Sequence, residues 1–242
     1  VALALCATRT VVKTRLPIVA IDGPAGAGKS TVARKLADAL GFVLVDTGAM
    51  YRAVALAAER ASIPWSDGPK LGELANTLVN EEALSFERDP ARGVRVRLRG
   101  EDISDAIRTP NIGMGASTVS AHGEVRAALL DLQRQAGMKG GVVLEGRDIG
   151  SVVFPDAEAK FFLTARPEVR AKRRHDELVA KGDTRMSYEE TLDDVRKRDA
   201  QDTGRAIAPL KQAEGALLVD SSEMSIEGTV AKMAEHVRQR MR

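Results

Sequence analysis

The chain has 242 residues, 44% hydrophobic and 29% charged, with a formal net charge of +2. That composition is ordinary for a globular domain, and the near balance of charge gives no general attraction to nucleic acid or a membrane surface. A single cysteine, Cys6, excludes an internal disulfide and a cysteine metal site, and His122, His175 and His236 show no ligand spacing. A reducing, cytoplasmic setting is expected.

Residues 1–16 read as a loose N-terminal extension without a functional role. Their apolar start, 1–7, is too short to span a bilayer and has no basic segment ahead of it. The apolar run at 18–21 predicts a buried strand. Directly after it come Gly23, Pro24, Ala25, Gly26, Ala27, Gly28, Lys29 and Ser30, then Thr31. This satisfies G-x-x-x-x-G-K-[ST], and apolar spacing over 30–40 predicts a following helix that Gly41 stops. In that context the glycines let backbone N–H groups turn inward around phosphate oxygens, and the helix N-terminus adds a favourable field. Lys29 is placed to reach the β- and γ-phosphates, and the Ser30 hydroxyl to ligate Mg²⁺. The segment implies a bound nucleoside triphosphate.

Apolar runs at 43–46, 142–145, 160–164 and 217–220 predict four more strands. Helical spacing at 49–60, 124–136, 167–181 and 225–240 alternates with them. The alternation predicts an α/β fold, a five-stranded parallel sheet with helices on both faces, built from 17–60, 123–165 and 206–242. Between 61 and 122 the pattern breaks into a loop at 65–69, a helix at 70–80 and a hairpin pairing 84–87 with 94–99. On the second hairpin strand Val94, Val96 and Leu98 share one face, and Arg95, Arg97 and Arg99 the other, which reads as a solvated face. Residues 166–205 form two charged helical runs around 181–184, with Arg166, Arg170, Arg173 and Arg174 in the first and Arg196, Arg198 and Arg205 in the second. Arginines facing one another across an empty cleft would repel, so these helices are expected to behave as a lid that closes when phosphates arrive. Arg198, Asp202 and Arg205, at i, i+4 and i+7, are expected along one helical face. A salt-bridged, exposed helix pair is the other reading of this segment.

No Asn-Lys-x-Asp segment is present to read guanine, and no strand ends in Asp-Glu as in motor ATPases. A compact kinase with arginine-rich accessory segments remains. If its acceptor is itself a phosphate, the attacking oxygen is already ionised and needs no strong base. Repulsion between two polyphosphates is then the main obstacle, and arginine suits it by staying charged and gripping oxygens in pairs.

Four segments then carry a specific resemblance: 23–31, Asp46-Thr47-Gly48-Ala49-Met50-Tyr51-Arg52, Glu145-Gly146-Arg147-Asp148-Ile149-Gly150, and Arg198-Asp199-Ala200-Gln201-Asp202-Thr203-Gly204-Arg205. Over about 17–240, in matching order, the chain resembles the bacterial cytidylate kinases. The resemblance implies a P-loop nucleoside-monophosphate-kinase fold with a monophosphate-binding insert at 61–122 and a helical lid at 166–205. It also implies transfer of the γ-phosphate of ATP to CMP or dCMP with Mg²⁺. A monomer is the default expectation, and the charge balance points to no nucleic-acid or membrane partner. By the same resemblance Thr47 lies near the acceptor, and Arg52 and Arg147 grip its phosphate. Ser117, Arg126 and Asp148 read the cytosine edge, Arg198 and Asp202 meet the sugar, and Arg205 completes the closed site. Arg170 and Arg174 match lid arginines near the ATP phosphates, so that Lys29, Arg147, Arg170, Arg174 and Arg205 form the catalytic set. Glu145 departs from the aspartate of many relatives, and Gly113-Met114-Gly115 is richer in glycine than the family pattern. UMP, AMP or shikimate as acceptor stay open as alternatives, although the Gly-Phe-Pro-Arg turn of adenylate kinases is absent. So does a nucleotide-binding regulatory protein without turnover.

Overall fold

The computed structural model describes residues 15–89, 93–180 and 182–241. The expectations for 1–14, for the loop at 90–92, for the Val94 side chain and for Lys181 lie outside the described residues. In chain order the elements are β1 (Ile18–Asp22), α1 (Lys29–Leu40), β2 (Val43–Asp46), α2 (Thr47–Arg60), α3 (Gly68–Asn80), β3 (Leu84–Asp89), β4 (Gly93–Leu98) and β5 (Glu101–Asp102). They continue with α4 (Pro110–Val119), α5 (Gly123–Gly137), β6 (Val142–Gly146), β7 (Ala159–Thr164), α6 (Pro167–Ala180), α7 (Tyr188–Gly204), β8 (Leu217–Asp220) and α8 (Ile226–Arg240). A short 3₁₀ turn spans Ala106–Arg108 and a π-turn Ile149–Val153.

Five of these strands form one sheet in the order β2-β6-β1-β7-β8, and every neighbouring pair is parallel. All five coincide with the strands expected from sequence. β1 is buried at every position because it lies in the middle, covered on both faces. Val19 and Ile21 pack with Val32 and Leu36 of α1 and Met233 and Val237 of α8. Ile18 and Ala20 pack the opposite way, with Val142, Leu144, Ile149 and Val153. The helices on the two faces follow from this alternation.

The segment 61–122 carries a separate three-stranded antiparallel sheet, β3-β4-β5. Val96 and Leu98 point into its core, while Arg97 pairs with Glu87 and Arg99 with Glu81 on the open side. Arg95 pairs with Asp102. The Arg97 and Arg99 pairs form a solvated face, each worth about 0–1 kcal/mol, whereas Arg95 and Asp102 are largely buried. One apolar cluster runs from Val54 of α2 through Leu71 and Leu78 of α3, Val96, Ile103 and Ile112 to Val125 and Leu129 of α5. The insert therefore shares its core with the helices on either side of it. Among the described residues no helix is long and apolar enough to cross a membrane.

Candidate active site

The C-terminal ends of parallel strands are where an open α/β sheet leaves a crevice. Here the ends of β2 and β6, the loop that follows β1 and Ser221 just after β8 meet at one cleft of about 990 Å³. Its lining includes Ala25, Gly26, Ala27, Gly28, Lys29, Ser30 and Thr31 on one side. Thr47, Arg52, Ser117, Arg126, Arg147, Asp148, Arg174, Arg198, Asp202 and Arg205 complete it. Of the residues expected at the site, Gly23, Pro24 and Arg170 do not line the cleft.

The phosphate loop is shaped by contacts behind it. Gly23 follows β1, and a Cβ there would lie 1.9 Å from the Leu163 carbonyl oxygen, so only glycine lets the chain turn under β7. Gly28 caps α1 with φ +85, a left-handed conformation that favours glycine. Lys29 folds back over the loop, its Nζ donating to the Pro24 carbonyl at 2.8 Å. The Ser30 hydroxyl donates to Glu145 Oε2 at 2.9 Å, while Glu145 Oε1 is buried with no hydrogen-bond partner. Burial and then Arg147 push the Lys29 ammonium down from its ordinary range, with Glu145 partly offsetting them. Burial and then Asp46 push the Glu145 carboxyl up, against Lys29.

Across the cleft from the loop, α2 begins at Thr47 because the Asp46 carboxylate caps it, accepting from the Ala49 N–H at 3.0 Å. Thr47 Oγ1 donates to the Glu145 carbonyl at 2.7 Å, which ties the start of α2 to the end of β6. Arg52 is held by the Ile107 carbonyl at 3.2 Å. Arg126 pairs with Asp148, both side chains at or below 10% exposure, and its guanidinium lies 5.7 Å from the centre of the Tyr51 ring. Burial raises the Asp148 carboxyl, and Arg126 partly offsets it. Asp202 is shared: Arg147 Nε donates to Oδ2 and Arg205 Nη2 to Oδ1, each at 2.8 Å.

Two expected placements differ. Arg205 does not continue the helical face of Arg198 and Asp202, because α7 ends at Gly204 and Arg205 is its extended C-cap (φ −60, ψ 135). From there it reaches across to the Ser120 hydroxyl at 3.2 Å. Arg170 lies 3% exposed behind the phosphate loop. Its guanidinium donates to the Ala165 carbonyl at 2.7 Å, the Ala25 carbonyl at 3.1 Å and both Asp199 oxygens at 2.9 and 2.6 Å. Four of its five N–H donors are thus spent on bracing the loop and α7. The expected repulsion between lid arginines is only partly offset within the segment: Arg174 and Arg198 lie 3.9 and 3.1 Å from Asp194 and Arg170 is paired with Asp199, yet burial and then Arg198 still push the Arg174 guanidinium down.

Arg173, one of the arginines of the first lid run, lines the cleft as well, and so do Ser120 and Tyr51, which the sequence reading did not assign to the site. Ser120 joins the two sides, its carbonyl accepting from Arg126 at 3.3 Å while its hydroxyl accepts from Arg205. Arg173 donates to the Ser221 hydroxyl at 3.2 Å and carbonyl at 2.7 Å. Tyr51 stood inside a quoted motif, one residue from Arg52. Its buried, cation-facing ring could have been suspected from helical phase.

A family model described as cytidylate kinase matches residues 19–239. The chain belongs to the cytidylate kinase family. A cytidylate kinase of Citrifermentans bemidjiense is 52% identical over 224 residues, covering 93% of this chain and 94% of that one. The Geobacter sulfurreducens cytidylate kinase is 51% identical over 225 residues, covering 93% and 94%. Among solved structures, an uncharacterized protein from Eubacterium ventriosum superposes with a TM-score of 0.50 at 11% identity, covering 93% of this chain and 99% of that one. That last likeness concerns the fold alone. Membership of the family makes this chain a nucleoside-monophosphate kinase, a transferase.

Proposed function

We propose that this chain transfers the γ-phosphate of ATP to CMP or dCMP, giving ADP and CDP or dCDP, as a cytoplasmic monomer. The observation that carries the acceptor assignment is the buried Arg126–Asp148 pair, set in the cleft beside Arg147, Asp202 and Arg205. Cytosine presents an amino donor beside two acceptors. The Asp148 carboxylate keeps lone pairs free for the amino group while it holds Arg126, and Arg126 with Ser117 can donate to the ring acceptors. Arg52, Arg147 and Arg205 are suited to the acceptor phosphate, Arg198 and Asp202 to the sugar, and Lys29 with 25–31 to ATP. Arg174 faces the ATP side from α6, while Arg170 acts behind the loop by holding Ala25 and Asp199 in place.

Magnesium fits the residues present. Glu145 Oε1 is an orphaned buried carboxylate oxygen next to the Ser30 hydroxyl. Among the described residues no three acidic, histidine or cysteine side chains cluster to hold a metal by themselves. Ser30 and Glu145 would therefore hold the ion together with ATP oxygens, as is usual for this small, strongly hydrated cation. When bound, it supplies charge that neutralises the transferring phosphoryl group. The arginines, for their part, bring two polyanions together and exclude water from them.

A panel of monophosphates in an ADP-release assay tests the assignment. CMP and dCMP are expected to react well, UMP poorly, and AMP and GMP hardly at all. A uracil carbonyl would face the Asp148 carboxylate, a mismatch worth roughly a few kcal/mol. Equal rates with AMP and CMP would overturn the acceptor assignment.

The segment 166–205 is proposed as the lid. Its arginines are already paired with Asp194, Asp199 and Asp202, so phosphates would exchange one set of anions for another. Amide exchange over 166–205 is expected to slow when ATP and CMP analogues are both bound, and the insert at 61–122 to respond to the CMP analogue more than to the ATP analogue. Full protection of 166–205 without nucleotide would make α6 and α7 a static surface and remove the lid role.

A further inference from the structure

The turn that presents Arg147 and Asp148 has an unusual cap. It opens the π-turn Ile149–Val153, with Asp148 in the N-cap position. An aspartate there ordinarily satisfies the turn's first free N–H groups with its own carboxylate. Asp148 makes no such bond, because its carboxylate is turned into the cleft against Arg126. The Asp148 carbonyl is taken by the Val152 and Val153 N–H groups at 2.9 and 3.3 Å, which leaves the Ile149 and Gly150 N–H groups with no acceptor inside the turn.

Those two donors are satisfied from another strand. Asp22, the last residue of β1, accepts from Ile149 N–H at Oδ1 and from Gly150 N–H at Oδ2, both at 2.8 Å. It is 2% exposed and stands opposite Gly146 in the parallel register of β1 and β6. Holding a carboxylate there is costly: burial, with a further contribution from Asp148, pushes its carboxyl up to about 6, against the two backbone donors and Lys29. A neutral side chain would fill the space without that cost but could not accept from both donors.

We propose that Asp22 is a positioning residue for the acceptor site, capping the turn after Asp148 so that the Asp148 carboxylate, released from capping, faces the cleft with Arg126 while Arg147 beside it reaches Asp202. This inference rests on the acceptor reading given above and adds a residue to it. Asp22 directly precedes Gly23 of the phosphate loop, so it also fixes the distance between the loop and the acceptor turn.

The test is Asp22→Asn, which keeps the shape but offers one acceptor oxygen and turns an NH₂ group toward the second N–H. Steady-state kinetics and calorimetric titration, with ATP and with the monophosphate that wild type phosphorylates best, separate the two sides of the cleft. The expected result is a rise of about tenfold or more in KM and Kd for the monophosphate, with those for ATP within about twofold. Comparing each constant with wild type keeps this test separate from the choice of CMP, which the substrate panel decides on its own. Equal weakening of ATP and monophosphate, or of neither, would overturn the proposal and leave Asp22 a structural plug. Wild-type protein supplies a second measurement if the variant does not fold. The Ile149 and Gly150 amides should exchange slowly without nucleotide, and fast exchange there would equally overturn the proposal.

Discussion

Lys29→Met is expected to lower kcat by about a hundredfold to a thousandfold while the protein stays folded. The substitution keeps the aliphatic stem and removes the charge that would meet the β- and γ-phosphates. Loss of one electrostatic group aimed at developing charge costs roughly 3–4 kcal/mol in the barrier. The fold should not suffer, because the charge opposes folding in the nucleotide-free protein. Burial and Arg147 hold the Lys29 ammonium well below its ordinary 10.5. A lysine lowered in this way binds its proton more weakly when folded than when unfolded, so its contribution to stability is unfavourable at neutral pH and improves as pH rises toward 10.5. Lys29→Met removes that pH dependence, and its melting temperature at pH 7 should equal or exceed that of wild type. A loss of kcat under tenfold would take Lys29 out of the catalytic set. A large drop in melting temperature would show that the ammonium is structural. A residue that is costly to the resting fold and proposed to serve turnover is where stability and function would trade against each other.

The parallel sheet and the phosphate loop were legible because their signals are local. β1 is a continuous apolar run flanked at once by glycine, and a strand buried on both faces leaves that mark. The insert was half legible. A helix at 70–80 showed, as did the hairpin through the alternation at Val96 and Leu98, although α3 starts at Gly68 inside what read as a loop; α4 did not show. Its start carried the right signals, Thr109 as N-cap and Pro110 in the first turn. Its body, with Gly113, Gly115, Ser117 and Thr118, is poor in helix formers. Tertiary packing decides: a Cβ at Gly115 would lie 2.5 Å from the Trp65 ring, and one at Gly113 3.5 Å from the Arg52 guanidinium. Gly115 is thus room made for the Trp65 ring, whereas a Cβ at Gly113 would meet Arg52 only at ordinary contact distance.

What could not be read was pairing across long sequence separations. Helical spacing showed that Arg198 and Asp202 share a face, but not that Arg147 would meet Asp202 or Arg170 the Ala25 carbonyl. An arginine is equally suited to bracing a loop and to gripping a phosphate, and only its neighbours distinguish the two. Arg170 and Arg174 stand four residues apart on α6, yet one is sealed behind the loop and the other lines the cleft. Asp22 is the same kind of case, a buried acid whose partners are N–H groups over a hundred residues away.

Arg126→Met is expected to weaken both the fold and the acceptor site. The Arg126 and Asp148 side chains are 10% and 7% exposed, so solvent does little to screen them. Removing one partner of a buried pair costs about 3–5 kcal/mol, because the other loses its closest counter-charge; Arg205 and Arg147 still act on Asp148, which places the cost at the lower end. In a chain of this size that corresponds to a fall in melting temperature of roughly 10 °C. Without Arg126 the Asp148 carboxyl, already raised above its ordinary 3.8, should rise further and take up a proton. A carboxyl raised in the folded state contributes stability below its unfolded value and loses it as pH climbs through the folded one. The stability gap between wild type and variant should therefore be widest above neutrality and narrow as pH falls toward about 4. Adding Asp148→Asn to Arg126→Met should restore much of the lost stability by removing the stranded charge, a coupling that a double-mutant cycle reads directly. Activity should not follow stability in that double variant, because neither group would remain to read cytosine. KM for CMP should stay high, and preference for CMP over UMP should fall, with KM for ATP little changed. A double variant that regained wild-type preference for CMP would mean that the pair holds the fold together and that cytosine is read elsewhere in the cleft.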